Sequence, residues 1–204
     1  MTDFLNVHPI KPQPRLIKQA AEFLKTGVVV YPTDSYYALG CLQSNSRAVE
    51  RIRQIRGLEA QHYFTLSCKD LSQISAYATM DNATFRLIKG HIPGPYTFIL
   101  KAGKAVGRKL YHPSRRTIAF RVQAHPVAAA LLQEIDEAII TTTLVLANHD
   151  APLPYDDMRD SLKNKVDAVL DAGICEECPT TVLDFTETPP RLVRAGGGEV
   201  DTLE

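Results

Sequence analysis

The sequence predicts one α/β domain, in which helices pack on a single twisted, mixed β-sheet. Short apolar and β-branched stretches alternate with amphipathic stretches at helical spacing along most of the 204 residues. The chain shows no internal repeat, and no linker is long enough to separate two domains. A chain of this length can bury a substantial core. We therefore expect a single domain over residues 1–204, with 196–204 as a flexible tail that begins at three glycines.

The first elements follow from local signals. Apolar residues at helical spacing after Pro14 predict a helix that ends at Gly27. The run 28–31 is apolar and β-branched and predicts a buried strand. Ser46 and Gly57 are expected to begin and end a second helix. The remaining predicted helices are 71–76, 83–89, 126–132 and 156–163, and the remaining predicted strands are 63–68, 96–101, 117–122, 138–143, 168–170, 181–185 and 191–194.

A dense polar loop follows the first predicted strand, over residues 32–40. Pro32 cannot donate to a strand ladder, and Thr33, Asp34 and Ser35 then place hydroxyls and a carboxylate at the strand end. A buried strand that delivers polar side chains at its end is a common way to build a small-molecule site. An ordinary polar turn is the alternative.

The charges are unevenly distributed although the net charge is zero. Residues 82–133 contain no Asp or Glu, whereas acidic residues dominate after Glu134. This asymmetry favours a face that binds a polyanion such as RNA, and the alternative is that the charges scatter over solvated faces. The cations expected to contact RNA are Lys101, Lys104, Arg108, Lys109, Arg115 and Arg116.

Several function classes are not expected from this sequence. Cys175 and Cys178 have a spacing found in redox and zinc sites, but two acidic residues separate them and would raise the thiol pKa values. Free thiols in a reducing cytosol are the better interpretation. The histidines lack metal-ligand spacing, so no metal site is expected. Without a signal peptide or a spanning apolar segment, we expect a soluble, cytoplasmic protein that does not bind membranes.

Five stretches together resemble the motifs of the YrdC/YciO family, the threonylcarbamoyl-AMP synthase superfamily, in the order in which that family carries them. In its details, which include two tyrosines after Ser35, the sequence most resembles the YciO branch of the family. The stretches are Pro-Thr-Asp-Ser-Tyr-Tyr-Ala-Leu-Gly at 32–40, Pro-Gly-Pro-Tyr-Thr-Phe-Ile-Leu at 93–100, Thr-Ile-Ala-Phe-Arg-Val at 117–122, Pro-Thr-Thr-Val-Leu-Asp at 179–184 and Arg-Ala-Gly at 194–196.

This resemblance implies a YrdC-like fold with a basic, concave groove. It also implies a reaction, the condensation of L-threonine, bicarbonate and ATP to threonylcarbamoyl-AMP and pyrophosphate, for the N6-threonylcarbamoyl modification of tRNA adenosine. ATP would act as a substrate with Mg²⁺, without a tightly bound metal or organic cofactor. Double-stranded RNA binding is a further implied property. A monomer is favoured.

The resemblance also implies roles for individual residues. Thr33 and Arg56 are the expected catalytic residues, and Arg56, Thr143 and Arg194 are expected to bind the nucleotide. An arginine such as Arg121 is suited to pairing a carboxylate through two hydrogen bonds. The expected substrate-binding residues are Thr33, Tyr37, His62, Arg121, Thr141, Thr143, Thr180 and Thr181. A structural role is the alternative for each residue. For His62, capping of a strand and contact with the substrate are equally expected.

Two positions depart from the family pattern. The family's pair of cations before the strand 63–66 corresponds to Arg56 and Leu58, so one charge is lost. In the stretch 141–145, Val145 replaces an asparagine of the family. Both losses fall on the side of the nucleotide phosphates, and each lost charge-assisted hydrogen bond is worth about 1.5–3 kcal/mol. We therefore expect weakened synthase activity.

Three functions remain in competition at this point. The first is a carbamoyl-adenylate synthase that uses ATP. The second is a protein of the same fold that binds double-stranded RNA or tRNA without this catalysis, because cations neutralise phosphates whatever the base sequence. The third is a hydrolase or carbamoyl transferase on the same scaffold. Threonine- and bicarbonate-dependent release of pyrophosphate from ATP distinguishes the first from the others.

Overall fold

The computed structural model describes residues 1–59, 62, 64–108 and 110–200, and within them one mixed sheet organises the chain. The strands are β1 (Asp3–Asn6), β2 (Val29–Tyr31), β3 (Ala38–Leu42), β4 (Thr65–Ser67), β5 (Ala78–Thr79), β6 (Tyr96–Ala102), β7 (Thr117–Arg121), β8 (Ile139–Thr143), β9 (Ala168–Asp171), β10 (Thr181–Asp184) and β11 (Arg191–Arg194). The helices are α1 (Pro14–Thr26), α2 (Ser46–Arg56), α3 (Leu71–Tyr77), α4 (Asn82–His91), α5 (Pro126–Gln133) and α6 (Met158–Leu162). The predicted α/β domain with a mixed sheet is confirmed.

The strands follow one another across the sheet in an order that differs from their order in the chain. Among the described residues the order is β1-β9-β2-β3-β8-β4-β7-β6-β10-β11, and β5 pairs with β6 outside this path. The pairs β1–β9, β2–β9, β4–β7 and β6–β10 are parallel, and the others are antiparallel. Strands that are distant in the chain, such as β4 and β8, therefore become neighbours.

The sheet separates two hydrophobic cores, one on each face. Val28 and Val30 pack into one core, whereas Val29 and Tyr31 pack into the other, because successive side chains of a strand point to opposite faces. Helix α2 contributes to the first core, and helices α1 and α5 contribute to the second. Burial on both faces explains why the central strands have nearly continuous apolar sequences.

The ends of α2 differ slightly from the prediction. Asn45, and not Ser46, caps the helix, since its side chain accepts a hydrogen bond from the backbone N–H of Ala48 at 3.0 Å. Gly57 ends the helix with φ at 64°, a left-handed conformation that costs glycine little. The predicted end of α2 is therefore confirmed.

Gly27 follows α1 but does not have the left-handed backbone that a glycine often adopts after a helix, since its φ is −153°. A Cβ at this position would lie 2.0 Å from a carboxylate oxygen of Asp167. That carboxylate accepts hydrogen bonds from the N–H of Val28 at 2.7 Å and from Arg51 at 2.6 Å. Glycine is thus required here by a close contact across the fold.

Strands β1, β3 and β5 are additional to the predicted strands. The most consequential is β3, which begins at Ala38, inside the stretch predicted as a polar loop. Because β3 pairs antiparallel with β2, the loop between them is a hairpin connection over residues 32–37. Within the described ranges, no helix is both long and apolar enough to span a bilayer.

Candidate functional site

A cavity of about 220 Å³ is lined by side chains from β3, β8, β4, β7, β6, β10 and β11, which are consecutive in the sheet. Neighbouring strands from distant parts of the chain therefore share one cavity. The described lining residues are Ser35, Tyr36, Ala38, His62, Thr65, Thr97, Arg121, Thr141, Thr142, Thr143, Thr180, Val182 and Arg194.

Arg121, at the end of β7, forms a buried ion pair with Asp34 of the hairpin loop. Its guanidinium donates to Oδ1 of Asp34 at 2.6 Å, and Oδ2 of Asp34 accepts from the backbone N–H of Ala124 at 3.0 Å. Each side chain of the pair is only 11% exposed. Asp34 thus fixes the orientation of the guanidinium, and loss of either partner would leave a buried charge without compensation.

The guanidinium of Arg121 retains an unused donor. Its Nε atom is buried and has no hydrogen-bond partner in the described part of the chain. Burial lowers the pKa of Arg121, and the charge of Asp34 opposes this effect. The side chain nevertheless stays charged, since the ordinary pKa of arginine exceeds 12. A charged, buried N–H without a partner is suited to a carboxylate oxygen that enters the cavity.

Hydroxyl groups form much of the remaining wall. Thr141 is buried, and its hydroxyl accepts a hydrogen bond from the Tyr31 hydroxyl at 3.0 Å. Thr65 and Thr143 also line the cavity, and no partner for either hydroxyl is found among the described residues. The wall therefore offers both fixed and free hydroxyls to a polar ligand.

Arg194 lines the cavity, but most of its donors are engaged. Its Nε and one terminal nitrogen donate to the carbonyl of Thr180 at 3.1 and 3.0 Å, and the same terminal nitrogen lies 3.1 Å from the Thr180 hydroxyl. That hydroxyl is also 2.9 Å from the Thr97 hydroxyl. Arg194 and Thr180 thus form one cross-linked wall, and the predicted ligand contacts of both stay predictions.

Thr181 holds the C-terminal segment to the sheet through its hydroxyl. Its hydroxyl donates to the carbonyl of Gly198 at 2.7 Å and accepts from the N–H groups of Gly196 and Gly198, each at 3.0 Å. Tyr96 donates to the carbonyl of Glu199 at 3.0 Å. The Thr181 hydroxyl is therefore engaged inside the fold, and its contact with a substrate stays a prediction. Residues 196–199 are fixed to the sheet where a flexible tail was expected, and 201–204 lie outside the described residues.

Thr33 shapes the hairpin loop. Its hydroxyl donates to the carbonyl of Tyr36 at 2.6 Å and accepts from the N–H of Ser35 at 3.1 Å, and its side chain is buried. It is not among the described residues that line the cavity. The structure thus gives Thr33 a role in the loop backbone, and its contact with substrate stays a prediction.

Three consecutive side chains tie this loop to residues 172–178. Ser35 and Tyr36 donate to the carbonyls of Cys178 and Glu177 at 2.6 and 3.2 Å. The Tyr37 hydroxyl bonds to residues 172 and 173, and burial raises its pKa. Tyr37 also lies outside the described lining of the cavity; it tethers the loop, and its contact with substrate stays a prediction.

Arg56 connects α2 to the end of β8. One of its terminal nitrogens donates to the Thr142 hydroxyl at 2.8 Å and to the carbonyl of Thr143. Burial lowers the pKa of Arg56. Arg56 does not belong to the described lining of the cavity, so its predicted contact with the nucleotide would require the side chain to leave these partners.

His62 lies between this cavity and a larger chamber of about 800 Å³, because it lines both. Leu58 and Arg108 line the larger chamber. Burial lowers the pKa of His62, and the charges of Arg56 and Arg53 lower it further. Arg53 donates to the backbone carbonyl of His62 at 3.2 Å, so the loop is held by Arg53 and the imidazole is left facing the cavities.

Several lining residues were missed by sequence reasoning. Asp34 was noted only as part of a polar loop, and its ion pair connects positions 87 residues apart. Thr65 and Thr97 alternate with apolar neighbours inside correctly predicted strands. That alternation places their hydroxyls on the face of the sheet opposite the core that contains Phe64 and Phe98. It is the signal that would have revealed them.

The cysteines and carboxylates form no evident metal centre. All four cysteines are free, and burial raises the pKa of Cys175 to about 11, with a smaller contribution from the charge of Glu177. Within residues 1–59, 62, 64–108 and 110–200, no group of three or more His, Cys, Asp or Glu side chains is placed to hold a metal ion.

Comparison with known proteins connects this geometry to a family. The model of the family Sua5/YciO/YrdC, described as "Telomere recombination", matches residues 22–196. The chain is 46% identical over 202 residues to the protein YciO of Escherichia coli (strain K12), with 98% of each chain covered. A crystal structure of E. coli YciO has a TM-score of 0.92 to this chain at 45% identity, and again 98% of each chain is covered.

Two further relatives carry names that describe a ligand or an activity. A threonylcarbamoyl-AMP synthase of Idiomarina loihiensis is 32% identical over 152 residues, which cover 72% of this chain and 81% of that one. A crystal structure of P. abyssi Sua5 in complex with L-threonine has a TM-score of 0.88 at 27% identity, covering 96% of this chain and 58% of that one. The family match over most of the chain and the shared fold agree with each other: the protein belongs to the Sua5/YciO/YrdC family.

Proposed function

We propose that the protein is a threonylcarbamoyl-AMP synthase that condenses L-threonine, bicarbonate and ATP and releases pyrophosphate. The observation that carries this proposal is the buried guanidinium of Arg121, which lines a small cavity with a hydroxyl-rich wall and keeps one N–H without a partner among the described residues. A cation and hydroxyls are the groups that recognise the carboxylate and hydroxyl of a small polar amino acid. The complex of P. abyssi Sua5 with L-threonine supports the same class of ligand.

The chemistry asks little covalent work of the protein. The threonine amine becomes a carbamate, and a carbamate oxygen then attacks the α-phosphate of ATP while pyrophosphate leaves. Catalysis then depends on alignment of the nucleophile and on cations that stabilise the developing phosphate charge. Arg121 and Arg194 would supply positive charge at the cavity wall, and Mg²⁺ would arrive with ATP as part of the substrate. No nucleophilic side chain is required.

A direct assay tests the proposal. The purified protein is incubated with ATP, bicarbonate and L-threonine, and pyrophosphate and the adenylate are quantified by enzyme-coupled detection and chromatography. We expect both products to require L-threonine and bicarbonate, with D-threonine as the matched control substrate. ATP hydrolysis that is indifferent to threonine would contradict the proposal and favour a hydrolase on this scaffold.

Restoration of the two family residues is expected to raise the rate of pyrophosphate release. Leu58 lines the chamber next to the cavity, so an arginine at 58 would place its charge near the phosphates, and Val145 lies directly beyond the end of β8. Each regained charge-assisted hydrogen bond is worth about 1.5–3 kcal/mol. We therefore expect at least a tenfold increase in kcat/KM for ATP in the variant with Leu58→Arg and Val145→Asn.

The matched control for this prediction is Leu58→Gln with Val145→Asn, which adds polarity at position 58 without charge. A folded double variant with Leu58→Arg that is no faster than this control would show that the missing charge does not limit the reaction. Circular dichroism and the midpoint of thermal unfolding establish that both variants are folded.

RNA binding is a second candidate function, favoured by a specific surface observation. Lys101, Lys104, Arg108, Arg115 and Arg116 are all exposed, and none of them forms an ion pair with a described residue. The expectation for Lys109 falls on a residue outside those described. Exposed cations without acidic partners remain available to phosphates.

Neutralisation of three of these cations is expected to weaken binding to structured RNA of any sequence. The variant Lys104→Ala, Arg108→Ala, Arg115→Ala should also show a shallower dependence of log K on log salt, by about 0.7–0.9 for each lost phosphate contact. The matched control removes three exposed cations elsewhere, Lys11, Arg15 and Lys18. Filter binding over a salt series measures both effects, and equal slopes in the two triple variants would exclude this surface.

A further inference from the structure

His62 is distinguished from the rest of the cavity wall by its chemistry. The other described lining side chains are alanine, valine, serine, threonine, tyrosine and arginine. At neutral pH none of these accepts a proton readily, because hydroxyls and guanidinium groups titrate far above pH 7. Asp34 is the nearby carboxylate, and both of its oxygens are engaged, one by Arg121 and the other by the N–H of Ala124. Imidazole is thus the base that the described wall offers.

The position of His62 also suits proton removal. It lines the small cavity and the open chamber of about 800 Å³, so a proton accepted on one side has a path to solvent on the other. No hydrogen bond from a described residue occupies the imidazole nitrogens, and the ring packs edge-on against Phe64 with centroids 5.6 Å apart. An amino acid whose carboxylate pairs with Arg121 would have its amine inside the cavity that His62 also lines.

We propose that His62 is the general base that takes a proton from the substrate amine as the carbamate forms, an inference that rests on the proposed synthase function. A ring nitrogen of His62 first takes one proton from the –NH₃⁺ group of the amino acid, which frees the nitrogen lone pair to form a bond to the carbon of bicarbonate. The C–OH bond of bicarbonate then breaks, and a second proton of the nitrogen leaves with that hydroxyl as water. The products are the carbamate, water and an imidazolium that returns its proton to solvent through the larger chamber.

The surrounding charges favour the form of His62 that this role requires. Burial and the charges of Arg56 and Arg53 lower the pKa of His62 below its ordinary value of 6.5. The imidazole is therefore neutral, and able to accept a proton, at pH 7. The charged and titratable residues that line the two cavities around it are Tyr36, Arg47, Glu50, Arg53, Arg108, Tyr111, Arg121 and Arg194. Five of these residues are arginines and one is a glutamate, and Asp34 already compensates the charge of Arg121.

The test compares His62→Gln with His149→Gln, a matched change at an exposed histidine. A general base contributes a factor of about 10²–10⁴, so we expect kcat for adenylate formation to fall at least 100-fold in His62→Gln alone. The dissociation constants of ATP and L-threonine, measured by calorimetry, should change little. In the wild type the rate should fall as the pH drops through the pKa of His62, and this acidic limb should be absent from the residual activity of His62→Gln. Added imidazole should restore part of the rate.

Each outcome is decisive. Wild-type rate and an unchanged acidic limb in His62→Gln would overturn the inference while the synthase function stands. A slow variant that keeps the acidic limb and does not respond to imidazole would also overturn it, because that pattern indicates a role in positioning the loop. Absence of adenylate from the wild type would overturn the proposed function, and this inference with it.

Discussion

Replacement of Arg121 by glutamine is expected to abolish binding of L-threonine and to destabilise the fold. Arg121 and Asp34 are each 11% exposed and 2.6 Å apart, so the variant leaves the Asp34 carboxylate buried beside an uncharged side chain. Removal of one member of a buried ion pair typically lowers the free energy of unfolding by about 3–5 kcal/mol. The lost guanidinium also removes the positive charge of Arg121 from the cavity wall. Calorimetry with L-threonine and urea denaturation measure the two effects.

The double variant Arg121→Gln, Asp34→Asn separates binding from stability. It contains no buried charge at this position, so we expect it to recover most of the lost stability. It still lacks the cation, so threonine affinity should remain at least 100-fold below that of the wild type, in line with a lost charge-assisted pair. Normal affinity in the folded double variant would remove Arg121 from the ligand site.

Thr181→Val is expected to lower the free energy of unfolding with little direct effect on ligand contacts. The change conserves volume but removes the hydroxyl that accepts from Gly196 and Gly198, and it leaves two N–H groups without their partner. An unsatisfied buried donor costs about 1–3 kcal/mol. The segment has little room to adjust, since a Cβ at Gly196 would already lie 2.2 Å from the carbonyl oxygen of Pro179. Urea denaturation measures the expected loss.

Thr143→Val is the matched control for this experiment. It makes the same substitution at a strand end, but no described residue bonds the Thr143 hydroxyl, so the free energy of unfolding should change by less than about 0.5 kcal/mol. Because Thr143 lines the cavity, we expect the loss of its hydroxyl to lower ligand affinity instead. If Thr181→Val is as stable as Thr143→Val and instead loses threonine affinity, then Thr181 contacts the ligand, as the sequence predicted.

The regular elements were predictable where local patterns and burial act together. The run at 28–31 is apolar because its side chains pack into a core on each face of the sheet, and that double burial is visible in the sequence. Strand β1 was not predicted, because it is a four-residue strand at the sheet edge with one neighbour, β9. Strand β3 was hidden by its glycine and by the polar loop before it. Short or edge strands take their stability from partners that are distant in the chain.

The candidate site was predicted in part, and the division follows from geometry. Arg121, His62, Thr141, Thr143, Thr180 and Arg194 were expected from their motifs, and all six line the cavity. Thr33, Tyr37 and Thr181 belong to the same motifs, but their hydroxyls are used inside the fold. A motif identifies which residues are near a site, whereas the direction of each side chain depends on which strand lies beside it.

The sequence by itself determined the alternation of helices and strands, the two-sided burial of the central strands and the segments that carry the polar motifs. These properties depend on the spacing of apolar residues along the chain, which can be read from each residue and its sequence neighbours. Only the tertiary structure decided that β4 lies between β8 and β7, and that Asp34 meets Arg121. It also decided that Tyr37 meets residues 172 and 173, 135 and 136 residues away. A hydrogen bond or ion pair depends on distances of a few ångströms, and those distances exist only after the strand order brings remote segments together.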